Sequence, residues 1–379
     1  MTPKPVAIPP PNGNRRLEAL PILLWSLLIV PSLLGVSTIA PVIRHMREAL
    51  RYESNGATVP LLDRFTGIDW LDQIVGDLVT SFGLLQFRPD SPYYWHALDF
   101  LAQFGSIYAA LLLESCRRAH GSQLLLWTVL GSLLAQLTTA GLLLPVYFYF
   151  LHGSTTLSKL VSSNGPEELR DSSALSVLPA VALSFYVPHF ESFLGPDFSA
   201  RHWWNWAWQL FGLWGAILFL GFCGMLWTLR QLLPMMPTSL SKRVKLHNGL
   251  KATRLTAVCL GMVNVGTYWY VLMSSHYSWS EVYVPKYFWQ SAADPGAALG
   301  TLLQFDYICV FGSALTWLGY QFRDLKTAGL IETSWAKITS LGLIVGVLFG
   351  PGSLWWVAWL MREEILTSLR PRREPRKND

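Results

Sequence analysis

Residues 298–320 read ALGTLLQFDYICVFGSALTWLGY, an unbroken apolar run with one acid inside it. About 20 apolar residues suffice to cross a bilayer as a helix, and this run is long enough. Asp306 lies about a third of the way in, between Gln304 and Tyr307. A carboxylate at that depth costs several kcal/mol unless it is paired, protonated or turned to a polar cavity. Similar runs recur along the whole chain, so a soluble globular fold is excluded. Of 379 residues, 51% are hydrophobic and only 14% charged, against about 25% charged in soluble domains. A membrane β-barrel would alternate polar and apolar residues in segments of about 10, and these runs do not alternate. The expected fold is all-α, a polytopic transmembrane bundle of about seven to nine helices.

The expected organisation is a polar tail at 1–17, one transmembrane helical domain at 18–361 and a basic tail at 362–379. The first 17 residues are polar and proline-rich, and the apolar run after them is too long for a cleaved signal, so it reads as a retained signal-anchor helix. The first span covers about 17–42 and carries Pro21, Pro31 and Pro41. Residues 68–86 place Trp70, Leu71, Ile74, Val75, Leu78, Val79 and Phe82 at helical spacing, with Asp69, Asp72 and Asp77 on the other face. Spans follow at 92–115, 124–150, 202–229, 255–273, 298–320 and 338–360. Residues 174–190 hold Pro179 and Pro188 and either span or re-enter. The most basic loop, 230–254, reads as cytosolic by the positive-inside rule. The tail from Arg362 to Lys377 is basic as well. Three spans separate the two clusters, so either one segment is re-entrant or one cluster is an exception.

Several groups point to chemistry. Asp99 is a second acid inside an apolar run, on one helical stripe with Gln103 and Ser106. Residues 145–152, PVYFYFLH, form a dense aromatic end with Tyr147, Tyr149 and His152. Residues 202–209, HWWNWAWQ, interleave Trp203, Trp204 and Trp206 with Asn205 and Gln209. An interfacial belt explains part of this tryptophan content, and a binding wall the rest. His189 and Glu191 lie at a turn. The cysteines, Cys116, Cys223, Cys259 and Cys309, lack metal or redox spacing and read as packing residues. There is no P-loop, no GxGxxG opening a helix after a strand, no HExxH, no GxSxG and no DDxxD. No metal and no cofactor is expected, and no nucleic-acid motif is present. Asp69, Asp72 and Asp77 depart by a residue from the Asp-rich helix of intramembrane prenyltransferases.

Five stretches together resemble the fungal membrane-bound terpene cyclases of the ascofuranone/ascochlorin type, found in meroterpenoid and related secondary-metabolite gene clusters. They are DFLAQFG at 99–105, LESCRR at 113–118, PVYFYFLH at 145–152, RHWWNWAWQLF at 201–211 and LQFDY at 303–307. The chain departs from the pattern at Gly212, where relatives carry a proline, and at Gly153-Ser154, where an aromatic is expected. The resemblance implies a metal-independent cyclase, an isomerase or lyase, that protonates an epoxide or alkene of a prenylated substrate. In that scheme Asp306 is the acid, Asp99 a partner or terminal base, and Glu191 an alternative acid. Tyr147, Tyr149, Trp203, Trp204, Trp206 and Tyr307 line the cavity, where aromatic faces attract a cation by about 0.5–2 kcal/mol each. His152 and Asn205 complete the substrate contacts. The implied setting is the endoplasmic reticulum membrane, with lipid and a hydrophobic substrate as partners, and no obligate protein partner is inferred. Competing readings are an epoxide hydrolase or cyclase on a polyketide chain, a proton-coupled transporter using Asp99 and Asp306, and a structural protein whose acids join helices.

Overall fold

The computed structural model describes residues 14–54, 57–62, 64–117, 123–161, 171–232, 249–288 and 294–368. His120 and Gly121 between the second and third expected spans, the basic positions Lys242, Arg243 and Lys245, and the tail from Arg370 to Lys377 lie outside them. The protein is all-α apart from one hairpin, and six of its helical segments are long and apolar enough to cross a membrane. Its outer surface is apolar too, with Leu24, Trp127, Leu220, Met262 and Ile344 all exposed.

Four short helices open the chain: α1 (Arg15–Glu18), α2 (Leu20–Leu28), α3 (Val30–Ser37) and α4 (Ala40–Glu48). Pro21, Pro31 and Pro41 fall in the first turns of α2, α3 and α4. Proline lacks the N–H that a continuous helix needs, which is why one apolar run becomes three stacked segments. A hairpin, β1 (Arg51–Ser54) and β2 (Ala57–Pro60), follows. The amphipathic helix α5 (Asp69–Gln86) matches the expected bounds within a residue. Asp72 turns inward and accepts hydrogen bonds from the backbone N–H groups of Phe65, Thr66 and Gly67 and from the Thr66 hydroxyl. The three acids of this helix are therefore not a metal-binding motif. Asp72 folds the preceding loop, and Asp77 pairs with Arg47 at 3.0 Å.

Helix α6 (Pro92–Ser115) is the axis of the bundle, buried without interruption from His96 to Glu114. Against it run α7 (Gln123–Leu137) and α10 (Asp171–Val181), while α8 (Ala140–Ser154) packs on α2 and, with the short α9 (Leu157–Val161), on the long helix at Pro295–Thr327. A π-turn at Ala182–Tyr186 joins α10 to α11 (Val187–Leu194). Next come α12 (Phe198–Gln209), α13 (Phe211–Leu232), α14 (Gly249–Ser274), α15 (Trp279–Tyr283), α16 (Pro295–Thr327), α17 (Trp335–Phe349) and α18 (Pro351–Ser368).

Besides the first run, the expected span at 202–229 breaks at Leu210, so that α12 stands apart from the span-length α13, and two further runs fold back on themselves. The run at 124–150 breaks at Thr138-Thr139 into α7 and α8, which fold back on each other. The Tyr147 and Thr128 hydroxyls meet across them at 3.1 Å. The run at 338–360 breaks at Gly350, whose φ is +80°, and α17 and α18 pack as a second hairpin. There Leu354 lies 3.6 and 3.4 Å from where side-chain carbons at Gly342 and Gly346 would stand. Each run is apolar throughout, so hydropathy alone cannot see the reversal.

Both hairpins return to the same end of the bundle. The carbonyl of His152, at the end of α8, accepts from Arg15, which pairs with Asp324 near the end of α16 at 2.7 Å. At the end of α18, Arg362 and Glu363 meet Glu114 and Arg117 at the end of α6. Arg117 bonds Glu114 at 2.7 Å and also pairs with Glu363. Arg362 bonds Glu114 at 2.6 Å and Glu363 at 3.1 Å. All four side chains are buried, and the Trp359 indole adds a bond to Glu114 at 2.9 Å. The opposite end carries the β-hairpin, α5, α12 and α15.

Candidate functional site

The stripe His96, Asp99, Gln103 and Ser106 lies along one face of α6, set by helical periodicity. Asp99 Oδ2 accepts from the Tyr283 hydroxyl at 2.8 Å and from Gln103 Nε2. Gln103 has a fixed orientation, because its Oε1 accepts from the backbone N–H of Gly352 at 2.8 Å. That N–H belongs to the first turn of α18. Residue 352 is glycine for a steric reason. A side-chain carbon there would lie 2.8 Å from the Asn264 amide nitrogen and 3.0 Å from Gln103 Cβ. Asn264 of α14 donates to Ser106 at 2.7 Å.

Asp99 Oδ1 is buried and has no hydrogen-bond partner. Since Oδ2 already accepts two donors, a proton on Asp99 belongs on Oδ1, the free lobe. The surroundings are aromatic. The His96 ring meets Tyr283 at 5.8 Å and Tyr307 at 5.4 Å, and Tyr283 lies 5.9 Å from both Tyr307 and Tyr268. Tyr283 is presented by α15, a single turn held by a capping box between Ser278 and Glu281. Hydrogen bonds from Ser278 hold the Glu281 carboxyl below its ordinary range. Among the described residues, no group of His, Cys, Asp or Glu is arranged to hold a metal ion.

The two acids singled out in the sequence are brought to different faces. Tyr307 turns to the Asp99 cluster, while the adjacent Asp306, about 100° round the helix, turns to a different face of α16. There its Oδ1 accepts from the Thr139 hydroxyl at 2.8 Å and from the backbone N–H of Gly141. Asp306 thus caps the N-terminus of α8 from outside, where unpaired N–H groups and the helix dipole favour a negative charge. A side-chain carbon at Gly141 would lie 2.6 Å from that oxygen, so glycine permits the approach.

The other expected site residues are dispersed. Glu191 is exposed on α11, and its carbonyl accepts the Gly195 N–H at 2.9 Å. Trp203 and Trp206 pack on Phe65 at 5.4 and 6.4 Å, at the bundle end. Trp204 is half-buried, and Asn205 bonds the Val79 carbonyl and Gln209. Tyr147 faces Thr128, Tyr149 packs beside Phe150 at 5.2 Å, and the His152 ring sits against Tyr320 at 5.0 Å. His189 bonds the Leu98 carbonyl at 3.0 Å. His96, Tyr283, Asn264 and Gly352 were not singled out in the sequence. His96 was legible three residues before Asp99 on the same face, but the other three come from distant elements with no spacing that links them.

A family model described as CtvD domain matches residues 19–367. The chain is 28% identical over 332 residues to a protein of Penicillium polonicum named FAD-dependent monooxygenase verC1, a match covering 84% of this chain and 39% of that protein. It is 26% identical over 321 residues to FAD-dependent monooxygenase anuJ of Penicillium roqueforti, covering 83% of this chain and 37% of that protein. The chain therefore spans less than two fifths of the length of these curated relatives. No solved structure matches.

These names correct the functional expectation. The relatives are named as oxidoreductases, which overturns the terpene cyclase reading, with its isomerase or lyase chemistry. Its alternatives, the polyketide epoxide hydrolase and the proton-coupled transporter, fall with it. The names also imply a flavin, and the described residues do not fit one. A dinucleotide of this kind is commonly held by a glycine-rich turn between a parallel strand and a helix. Here the only sheet among the described residues is the antiparallel pair β1–β2, and no GxGxxG follows a strand.

Proposed function

The chain belongs to the CtvD-domain family, and on that premise we propose that it is the membrane-resident part of an oxygenating system of secondary metabolism. It receives a lipophilic intermediate and manages proton transfer at Asp99, while flavin chemistry resides outside these residues. The observation that carries this reading is the mismatch between name and fold. Relatives named for FAD align over 39% and 37% of their length with a helical bundle whose described residues offer no dinucleotide fold.

Within this part Asp99 does the chemistry. Its free Oδ1 exchanges a proton with a substrate oxygen, and Tyr283 and Gln103 hold Oδ2 so that the carboxyl cannot turn. A positioned acid–base group of this kind contributes about 10²–10⁴-fold. His96 and Tyr307 pack around it and keep water away. A cytosolic position of the end that carries Arg15, Arg16, Arg254, Arg323 and Lys326 is supported by the positive-inside rule. An endoplasmic reticulum membrane suits a lipophilic intermediate.

The test uses a fungal host expressing three combinations: the non-matching remainder of the verC1 relative alone, the remainder with this chain, and the remainder with Asp99→Asn. Metabolites are compared by mass spectrometry, and the purified chain is assayed for bound flavin. The expected result is an oxygenated product that is consumed when this chain is present and accumulates with Asp99→Asn, with no flavin on the purified chain. Stoichiometric flavin on this chain alone, or identical metabolites in all three hosts, overturns the proposal.

A further inference from the structure

A second feature lies away from Asp99, at the end of the bundle that carries Arg15 and Arg323. Thr316, Gly319, Tyr320 and Arg323 stand at i, i+3, i+4 and i+7 of α16 and form one stripe. With Trp335, the first residue of α17, they line an open groove of about 430 Å³, a volume in the range of small-molecule sites. Gly319 leaves its floor clear, since a side-chain carbon there would meet nothing within 4 Å. The N-terminal helices reach the groove at two points. The Trp25 indole donates to the Thr316 hydroxyl at 3.1 Å, and Glu18 pairs with Arg323 at 2.6 Å.

Arg323 supplies the chemistry of this groove. Its side chain is 40% exposed, and its guanidinium lies over the Tyr320 ring at 5.0 Å. Both of its hydrogen bonds leave through Nη2, to Glu18 and to Asp324. Among the described residues Nε and Nη1 make none, so donors remain for something outside the chain. The neighbouring charges do not cancel it. Asp324 is also taken by Arg15 at 2.7 Å, and Lys326, about one turn on, meets the Thr333 carbonyl and not an acid. An accessible guanidinium with free donors makes strong, charge-assisted bonds to phosphate oxygens. Trp and Tyr side chains, as at 335 and 320, favour headgroup depth. Leu20 and Leu24 on α2, with Leu341 and Ile344 on α17, are exposed and offer apolar faces to lipid chains.

We propose that this groove holds the headgroup phosphate of an anionic phospholipid, its oxygens at Arg323 and its acyl chains along the apolar faces of α2 and α17. Basic pockets between transmembrane helices take headgroups of this kind. A zwitterionic lipid is disfavoured because its own cation would stand beside Arg323 and Lys326. The site is independent of the Asp99 reading, since it concerns binding and not proton transfer.

The test is lipid retention by the purified full chain. The chain is equilibrated in detergent with equal amounts of phosphatidylinositol and phosphatidylcholine, and the lipid that co-purifies is quantified by mass spectrometry. Phosphatidylinositol is expected in roughly three- to tenfold excess. Arg323→Gln should bring the two lipids to parity, and Lys326→Gln should lower the excess only slightly. Glu18→Gln, which releases Nη2 from its carboxylate, should raise it. Gly319→Phe puts a ring on the clear floor of the groove and should abolish the excess without lowering the melting temperature, which separates lost binding from lost folding. Asp99→Asn should leave the ratio unchanged, even if the proposed function fails. Parity in the parent chain, or an excess that survives both Arg323→Gln and Gly319→Phe, overturns the proposal. An excess lost equally in Lys326→Gln also overturns it, and assigns the preference to general surface charge. Displacement by inorganic phosphate as effective as by phosphatidylinositol overturns the assignment to a lipid.

Discussion

At the scale of single residues, the acids divide by what holds them. Asp99 has one oxygen that accepts two hydrogen bonds and one that is free, as the proposed proton exchange requires. Asp306 is spent on a helix end. Asp99→Asn should lower turnover about 10²–10⁴-fold while leaving the melting temperature near that of the parent chain. Asp306→Asn should do the reverse, costing about 1–2 kcal/mol of stability through the lost charge at the α8 N-terminus with turnover largely kept. Parallel melting and product assays on the two variants check the division. Outside the spans, Asp72 sits lower than an ordinary carboxyl. Burial works to raise it, but the bonds from Thr66, Gly67 and Phe65 outweigh that. Its folded value lies below the ordinary 3.8, so its stabilisation is complete above that pH and is lost as pH falls through the folded value. Asp72→Asn should remove this acid-side dependence in a melting series.

At the scale of elements, the loops and hairpins carry the specificity. Gly350 combines φ of +80° with a ψ of 159°, a region that only glycine enters freely, so Gly350→Ala should cost about 1–3 kcal/mol. The new methyl would also press on Gln103 at 2.7 Å, so turnover should fall along with stability. His202 of α12 ties the β-hairpin down through the Pro60 carbonyl at 3.0 Å. Burial pushes its pKa down from 6.5 to about 4, against the bond to Pro60. The docked hairpin thus needs neutral His202. The stabilisation is full above pH 6.5 and is lost as pH falls toward 4. Hydrogen exchange at residues 57–62, corrected for intrinsic rates, should rise over that window, and His202→Asn should flatten the response. Helix α5 and the Asp99 stripe were legible in the sequence because amphipathic spacing and an acid in an apolar run are local signals. The hairpin turns were not. Thr138-Thr139 and Gly350 reverse the chain inside runs that stay apolar on both sides, and only Gln103 and Asp306, far away in sequence, show what the turns are for. The tryptophans of α12 were legible as a cluster, but their direction, onto Phe65, depends on how α5 docks.

At the scale of the whole molecule, the α17–α18 hairpin offers a way to reconcile the charge clusters of the sequence. With α17 and α18 returning to their own end, only α14 and α16 run the length of the bundle between the start of α14 and the end of α18, which meet in the Arg254–Glu364 ion pair. The segments that carry the two basic clusters are thereby expected on one side. Tags at the two termini should be reached by the same impermeant reagent, and single cysteines at Thr138 and Gly350 by none. The buried quartet Glu114, Arg117, Arg362 and Glu363 carries no net charge, yet removing one member leaves the others unpaired. Arg362→Met should cost about 3–5 kcal/mol, part of it recovered by replacing Glu114 as well, in a double-mutant cycle. Arg117 and Glu363 are 246 residues apart. A ribosome therefore releases the centre of the bundle long before its charges are matched. Until α18 arrives, Glu114 and Arg117 of α6 have only each other as partners in that quartet. Chains truncated before α18 should therefore be cleared faster than chains with point lesions elsewhere, as a pulse-chase comparison would show.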